Sequence, residues 1–485
     1  MADTPPAALD LLEKWTYNEA IKTKGCEPLK AQSKNLDMTT GPIWYNMVAF
    51  AVPVFLGQLF QQLYNTADSV IVGNFVGKDA LAAVSSSDNL IFMMTGFFMG
   101  LSLGAGVVIS RYFGARDEAA MHRTVHTSIA FGAVCGLVMT VAGVYLTPQI
   151  LVLMNTPQDV LPLSITYFRL YFTGAFFSLM YNTCMGILRA VGDSRTPLYY
   201  LIFSSLINVV FDLLFVGPLG MGVAGAAIAT VISQAVSAVL CFVKLLRSTG
   251  PERVEPGKIR FDLPMLRQIA GLGIPSGVQN SIISIANVVV QSNINVFGSD
   301  AMAGCGSYAK VEGFVFLPIT AFTSAITTFI GQNLGAREYR RAKQGAAFGI
   351  FWACALAEGL GVLLYFICPT VIRFFGDDPE VVRIGVAQMR TECFFFFALA
   401  YAHGVSAVMR GAGRAKMPMF TMLACWCVLR VAYITLAVKA FPVVNTIFWA
   451  YPLTWCVSCV VFFLYYKKAD WVHSFDHRLP EIENS

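Results

Sequence analysis

The sequence predicts an all-α integral membrane protein of about twelve transmembrane helices, arranged as two six-helix bundles. Three observations lead to this fold class: an apolar composition, apolar stretches long enough to cross a bilayer, and an internal repeat. Of the 485 residues, 56% are apolar and 13% are charged, and the mean hydropathy is +0.62. Soluble domains carry about 25% charged residues. We therefore expect lipid to surround most of the chain.

The apolar stretches have the length of membrane spans, since a helix needs roughly 20 mostly apolar residues to cross the hydrocarbon core. Charged residues and Gly/Pro clusters divide the chain between Val48 and Tyr466 into twelve such stretches. The predicted spans of the first half are 46–74, 80–109, 121–147, 161–189, 196–216 and 221–246. Those of the second half are 265–297, 300–331, 342–370, 379–409, 418–440 and 443–467.

The loops between the spans predict the orientation, because Lys and Arg stay on the cytoplasmic side. With the N-terminus inside, 26 of the 34 Lys and Arg residues fall on that side and four on the other. The sequence thus predicts a multi-pass protein of the plasma membrane with both termini cytoplasmic. Its predicted parts are a tail at 1–42, a bundle at 43–247, a linker at 248–263, a bundle at 264–468 and a tail at 469–485.

An internal repeat relates the two halves, because three short motifs recur at a constant offset of 221 positions. The recurring pairs are Gly114-Ala-Arg with Gly335-Ala-Arg, Leu188-Arg-Ala-Val-Gly with Met409-Arg-Gly-Ala-Gly, and Asp79-Ala-Leu-Ala with Asp300-Ala-Met-Ala. An even number of spans in each repeat makes the halves parallel, related by a pseudo-two-fold axis along the membrane normal. In transporters built this way, substrate sites lie where the repeats meet.

Carboxylates inside the first-half spans are the first candidates for function, because a charge within a bilayer is costly and usually faces a cavity. Asp68 lies in the first span, Asp88 in the second and Asp212 in the fifth. Asn208 precedes Asp212 by four residues, so both share one helix face. Such oxygen groups suit a hard cation or proton carriage. The alternative is that they are hydrated or cap helices near the outer interface.

The second half offers Glu312 in the eighth span, Glu392 in the tenth and Arg430 in the eleventh. Each glutamate has a basic neighbour, Lys310 or Arg390, so a structural ion pair is as reasonable an expectation as a functional role. Within a membrane, an ionisable residue is by default a candidate for function.

Enzymatic chemistry is not expected. The run Gly100-Leu-Ser-Leu-Gly fits a nucleophile pattern, but it lies in a predicted helix with no strand before it. A Walker A loop is absent, and the five His have no metal-ligand spacing. The twelve Cys lie mostly in apolar spans, where a thiol acts as a small hydrophobe. We therefore expect no enzyme, metal or cofactor, and an ion gradient as the energy source.

Several segments together resemble the multidrug and toxic compound extrusion (MATE) transporters, over about positions 42–468. The family-like segments are Pro53 to Asp68, Gly114-Ala-Arg, Leu188 to Pro197, Asn208-x-x-x-Asp212 and Phe329 to Ala336. The resemblance implies twelve helices in two bundles around a central cleft. It also implies efflux of organic, often cationic and amphiphilic, compounds in exchange for Na⁺ or H⁺.

The resemblance also implies roles for particular residues. The cation-binding residues of the family's first-half site correspond here to Asp68, Asn208, Asp212, Thr230 and Tyr167. Some relatives use a carboxylate in the seventh helix instead, but this sequence has only amides there: Gln279, Asn280, Asn287 and Gln291. Gln279 and Asn287, with Glu312 and Glu392, are therefore candidates for second-half coupling or substrate contact.

The second candidate function is that of a flippase for lipid-linked saccharide precursors, since such proteins share the wider fold superfamily. A flippase would favour a cationic cavity for a diphosphate, which the first-half carboxylates disfavour. In either case the expected partners are small organic substrates, a coupling cation (Na⁺ or H⁺) and the lipid bilayer, with no nucleic acid. A single chain contains one complete cleft, which is sufficient for transport, so we expect a monomer.

Overall fold

The computed structural model describes residues 36–76, 78–153, 158, 160–375 and 378–476. At 69–70, 73–74, 78–94 and 153 it describes the backbone alone. These residues belong to one compact unit. Over this part of the chain the structure is helical, with twelve long helices and without strands. The predicted fold class is confirmed.

The helices are numbered in chain order, and four of them are interrupted. Those of the first half are α1 (Ile43–Phe75), α2 (Lys78–Gly114), α3 (Glu118–Leu153), α4 (Leu161–Thr173 and Ala175–Ala190), α5 (Arg195–Val216) and α6 (Gly222–Leu246). Those of the second half are α7 (Leu263–Asn295), α8 (Ser299–Gly335), α9 (Tyr339–Arg373), α10 (Pro379–Glu392 and Phe396–Gly411), α11 (Lys416–Met422 and Arg430–Ala440) and α12 (Val444–Phe448 and Ala450–Lys468).

The predicted spans match these helices to within six residues at every end. Eleven of the helices are long and apolar enough to cross a membrane. The exception is α4, which Gly174 divides into segments of 13 and 16 residues. A 3₁₀ turn at Cys393–Phe395 interrupts α10, and a π-helical stretch at Leu423–Leu429 interrupts α11. The sequence did not predict these interruptions.

Helix α5 shows why these sequences suit a membrane. Four of its large apolar side chains are more than half exposed, and four polar side chains on the helix are buried. The exposed ones include Tyr199, Phe203, Leu206 and Val210, and the buried ones are Ser204, Ser205, Asn208 and Asp212. A helix of a soluble protein has the opposite distribution. Lipid solvates the apolar face, and the polar face therefore points into the protein.

The backbone repeats where the sequence repeats. Arg116 and Arg337, which are 221 positions apart, have the left-handed φ angles of 54° and 60° that non-glycine residues seldom adopt. Gly192 and Gly413, at the same offset, have φ angles of 89° and 75°. The two halves therefore end corresponding helices with the same turns. The boundaries drawn for the bundles and the linker stay predictions.

Helix α2 joins the halves, since it packs along α7 and against α8. Glycines permit this approach. A Cβ atom on Gly100 would lie 2.1 Å from the backbone N of Gly277, and one on Gly114 would lie 1.9 Å from the carbonyl O of Gln332. Both distances are far below a van der Waals contact, so the halves are tightly closed along α2.

Helix α1 also bridges the halves. Its early residues Met47, Phe50 and Val54 are buried in the apolar core of the second half, beside Ile319 and Phe322 of α8. The rest of α1 packs on α5 of the first half. The helix therefore links the two halves, with Pro53 inside it.

Both ends of the described part of the chain pack on one face of the bundle, where α2 and α8 end, and we call it the terminal face. The backbone of Met38 donates to Oε1 of Gln332 at 3.0 Å and accepts from Nδ2 of Asn333 at 3.1 Å. Nε2 of Gln332 donates to the carbonyl of Ala190 in the first half at 2.8 Å. At the other end, Phe475 is buried. The remaining tail residues, 1–35 and 477–485, lie outside the described part.

Candidate functional site

The five residues predicted to bind the cation lie on four helices of the first half. Asp68 is on α1, Tyr167 on α4, Asn208 and Asp212 on α5, and Thr230 on α6. All five side chains are buried, with at most 9% exposure. Helix α5 packs against α1 and α6, and α6 packs against the first segment of α4. Polar groups from these helices therefore face the interior of the first half. The side chain of Asp88 is outside the described part.

Asn208 and Asp212 carry the clearest structural signal. Their exposures are 1% and 0%, and no hydrogen-bond partner within the described residues reaches the amide N or O of Asn208 or either carboxylate O of Asp212. An unsatisfied buried polar group costs about 1–3 kcal/mol, and a charge costs more. Such a cost is tolerated where the groups serve a ligand or a proton. The alternative of hydrated or capping residues does not fit this burial.

Asp68 lies close enough to Asp212 for their charges to interact. Two carboxylates in a region of low dielectric repel each other strongly. A cation between them, or a proton on one of them, removes that repulsion.

The structure adds two residues that the sequence did not single out, Tyr64 and Tyr171. Tyr64 lies one turn before Asp68 on α1, where it interacts with the charges of Asp68 and Asp212 and with Tyr171. The ring of Tyr171 stacks on that of Tyr167, with centroids 6.3 Å apart. Both could have been found from their spacing, since each is four residues from a predicted site residue.

A second polar cluster lies in the other half, around Glu392, which is fully buried. Oη of Tyr308 donates to Oε2 of Glu392 at 2.7 Å, and Nε2 of Gln388 donates to Oε1 at 2.9 Å. Glu312 interacts with Tyr308 and with the charges of Glu392 and Arg430. The two predicted glutamates are therefore neighbours, and both carboxylate oxygens of Glu392 accept hydrogen bonds.

Arg430 completes this second-half cluster. It is 2% exposed, its Nη2 donates to Oγ1 of Thr454 at 3.0 Å, and its guanidinium carbon lies 4.5 Å from the ring centroid of Tyr451. The expected pairs with Lys310 and Arg390 do not form. Within the described residues neither makes a salt bridge, and they lie over the rings of Phe375 and Tyr365. Residues two positions apart on a helix point in nearly opposite directions, so each glutamate faces inward and its basic neighbour outward.

The amides of α7 do not join this cluster. Nε2 of Gln279 donates to Sδ of Met422 at 2.7 Å. Asn287 is exposed. Oε1 of Gln279 is buried and has no hydrogen-bond partner among the described residues. The coupling or substrate role considered for Gln279 and Asn287 stays a prediction.

The five predicted residues of the first half, which we call the first-half cluster, offer oxygen atoms of four kinds: carboxylate, amide, hydroxyl and phenol. The hydroxyl of Thr230 donates to the carbonyl of Ala226 at 3.0 Å, so its lone pairs are available to a cation. Oxygen ligands suit a hard cation such as Na⁺, and the carboxylates can also hold a proton. The set therefore fits either ion.

The model of the MatE family matches the chain twice, at residues 53–214 and 275–436. The two matches fall one in each half, as the repeat predicts, and together they cover more than half of the chain. The protein is a membrane transporter by fold. It belongs to the MATE family of multidrug efflux transporters, and the resemblance noted in the sequence is confirmed.

Individual relatives agree with this family. The chain is 29% identical to the probable multidrug resistance protein YoeA of Bacillus subtilis over 450 residues, which are 91% of this chain and 96% of that one. It is 23% identical to an FAD transporter of Shewanella oneidensis over 71% of this chain and 77% of that one. A solved transporter of the MOP superfamily from Pyrococcus furiosus shares the fold, with a TM-score of 0.85, 22% identity and coverage of 90% and 98%.

Proposed function

We propose that this protein is a secondary active antiporter that exports organic, often cationic and amphiphilic, compounds in exchange for Na⁺ or H⁺. The coupling cation binds in the first half at Asp68, Asn208 and Asp212, with Thr230 and Tyr167 beside them. The observation that carries the proposal is the set of buried polar atoms on Asn208 and Asp212, which have no hydrogen-bond partner among the described residues.

The bridging position of α1 suggests how cation binding acts on the rest of the molecule. Asp68 is on α1, and the beginning of the same helix is buried in the second-half core. Neutralising Asp68 and Asp212 removes their repulsion and lets α1 pack differently against α5. Pro53 lacks one helical hydrogen bond and provides a place for α1 to bend. The bend changes the interface between the halves, where the exported compound binds.

The energetic requirement is modest. A membrane potential of 100 mV supplies about 2.3 kcal/mol for each net charge that moves inward per exchange, which supports roughly fiftyfold uphill transport. Binding reciprocity requires the cation and the exported compound to weaken each other's binding to the same degree. Measured cooperative or independent binding of the two would contradict the exchange scheme.

Efflux of ethidium from proteoliposomes tests the proposal. The purified full chain is exposed to a Na⁺ gradient alone and then to a pH gradient alone, as wild type and as Asp68→Asn. We expect one gradient to drive efflux and the variant to lose it, which also identifies the ion.

The matched control is Asp300→Asn, because Asp300 is an exposed aspartate in the first turn of α8. This variant should transport like the wild type. If the folded wild type moves ethidium under neither gradient, the antiporter proposal fails and the flippase for lipid-linked saccharides becomes the better hypothesis. If Asp68→Asn transports normally, the site assignment fails.

A further inference from the structure

A cavity of about 580 Å³ opens between the two halves at the terminal face, and no predicted site residue lines it. Its walls are the end of α2, the beginning of α7, the connection between α10 and α11, the end of α12 and the C-terminal segment. The lining residues include Arg111, Arg267, Arg414, Lys416 and Phe475. The proposed cation-binding site does not include this cavity.

The described charges of the cavity are all positive. Among the described residues that line it, four are basic and none is acidic. Among the described residues, Arg267, Arg414 and Lys416 form no salt bridge. The positive charges of Arg267, Arg414 and Lys416 repel one another across the cavity, and a bound anion relieves that repulsion.

Two of the guanidinium groups are held in place. Arg111 is 2% exposed, and its guanidinium carbon lies 4.6 Å from the ring centroid of Phe475. Phe475 is fixed in turn by its neighbour Ser474, whose Oγ donates to the carbonyl of Ala412 at 2.7 Å. Nη2 of Arg414 donates to the carbonyl of Asp470 at 2.5 Å. The folded C-terminal segment therefore orients both groups, while Arg267 and Lys416 are exposed beside them.

The rest of the lining is mostly apolar, with Val107, Val108, Leu272 and Met417 among its members. A ligand with an anionic group and an apolar part would match both kinds of wall. Guanidinium groups bind phosphate through paired hydrogen bonds. Basic pockets between transmembrane helices, at the level of the headgroups, bind anionic lipids. Arg267 lies in the second turn of α7, and Lys416 begins α11, so both are near that level.

We propose that this cavity binds a phosphate group through Arg111, Arg267, Arg414 and Lys416, and that the ligand is an anionic phospholipid of the adjoining leaflet. Arg111 belongs to the first half, and the other three residues belong to the second. The phosphate therefore bridges the halves beside the contact of Gly114 with Gln332. Its binding stabilises the arrangement in which the terminal face is closed.

Thermal unfolding of the purified full chain in detergent tests the proposal without any transport measurement. The probes are dioctanoyl phosphatidylglycerol, dioctanoyl phosphatidylcholine and ADP, each titrated against the wild type. The test variant is Arg267→Gln with Lys416→Gln. Its matched control is Arg260→Gln with Lys468→Gln, which removes two exposed charges of the same face outside the cavity.

We expect phosphatidylglycerol to raise the Tm of the wild type and of the control, with an affinity about tenfold or more weaker in the test variant. The same pattern with ADP and not with phosphatidylglycerol would keep the phosphate site but assign it to a soluble ligand. The proposal is overturned if neither anion stabilises the wild type or if phosphatidylcholine acts as strongly as phosphatidylglycerol. It is also overturned if both double variants respond to phosphatidylglycerol alike, which would show a general effect of negative charge.

Discussion

The polar clusters of the two halves differ in how well the protein satisfies them. In the second half, both carboxylate oxygens of Glu392 accept hydrogen bonds, and Arg430 supplies a positive charge. In the first half, the polar atoms of Asn208 and Asp212 have no hydrogen-bond partner within the described residues. Two aspartates also repel each other there. One repeat therefore holds a carboxylate whose donors and counter-charge the protein supplies, and the other holds a site suited to an added cation.

Corresponding positions of the two repeats carry different residues in the two clusters. At the offset of 221, Tyr171 of the first half corresponds to Glu392, and Val209 corresponds to Arg430. Three of the four helices in each cluster correspond, but Asp68 is on α1, whereas Tyr308 and Glu312 are on α8, the counterpart of α2. The second half has an acid and a base at positions where the first half has a phenol and an apolar group. The two halves therefore carry different residue types at these corresponding positions, in keeping with the proposal that the cation binds in the first half.

The largest expected difference between the two halves comes from neutralising one carboxylate in each. We expect Asp212→Asn to abolish gradient-driven ethidium efflux, because the cation loses a charged ligand. Glu392→Gln should keep efflux within about threefold of the wild type, since an amide still accepts hydrogen bonds. Proteoliposome efflux at matched protein content measures both.

Folding of the two variants is compared through their Tm in detergent. Asp212→Asn should be at least as stable as the wild type, because the repulsion from Asp68 is gone. If Glu392→Gln abolishes efflux at normal stability, the second-half cluster takes part in coupling and the division between the halves is wrong.

The next largest effect concerns Arg430. We expect Arg430→Gln to destabilise the protein by about 3–5 kcal/mol, because Glu312 and Glu392 would lose the buried positive charge beside them. The measurement is a loss of Tm in detergent, with Arg373→Gln, at the exposed end of α9, as the control. An unchanged Tm would mean that the network contributes little to the fold.

A smaller effect is expected from Tyr308→Phe, which removes one hydroxyl and keeps the ring. Oε2 of Glu392 would lose its donor, at a cost of about 1–2 kcal/mol. Tm should fall moderately, and efflux should persist. The control Tyr145→Phe changes a tyrosine of α3 that is 73% exposed, and it should leave Tm almost unchanged. Equal losses in both variants would mean that the hydrogen bond to Glu392 contributes little.

The sequence predicted the twelve helices and their ends because lipid imposes a simple rule on length and hydropathy. It also predicted that Asn208 and Asp212 lie on the same face of α5, since they are four residues apart. The repeat motifs predicted the matching turns at Arg116 and Arg337. These features depend on local sequence or on direct comparison of the halves.

The sequence did not predict the partners of Glu392. Tyr308 is 84 positions away in the sequence, and only the packing of α8 on α10 brings it to the carboxylate. The cavity at the terminal face was missed for the same reason, since its four basic residues come from segments far apart in the chain. Sequence neighbours were misleading here: Lys310 and Arg390 suggested ion pairs that the helical geometry does not form.

The smallest effect is expected from substituting Lys310 or Arg390. These substitutions test whether the glutamates of the second-half cluster depend on the basic residues next to them in the sequence. Arg390 is exposed and lies 5.3 Å from the ring centroid of Tyr365, while Glu392 is directed inward. We expect Arg390→Gln to change stability by less than about 0.5 kcal/mol, as is usual for exposed substitutions. Lys310→Gln should behave alike, and Tm in detergent measures both. A loss as large as that of Arg430→Gln would show that the glutamates depend on their sequence neighbours, and the network around Arg430 would lose its role as their counter-charge.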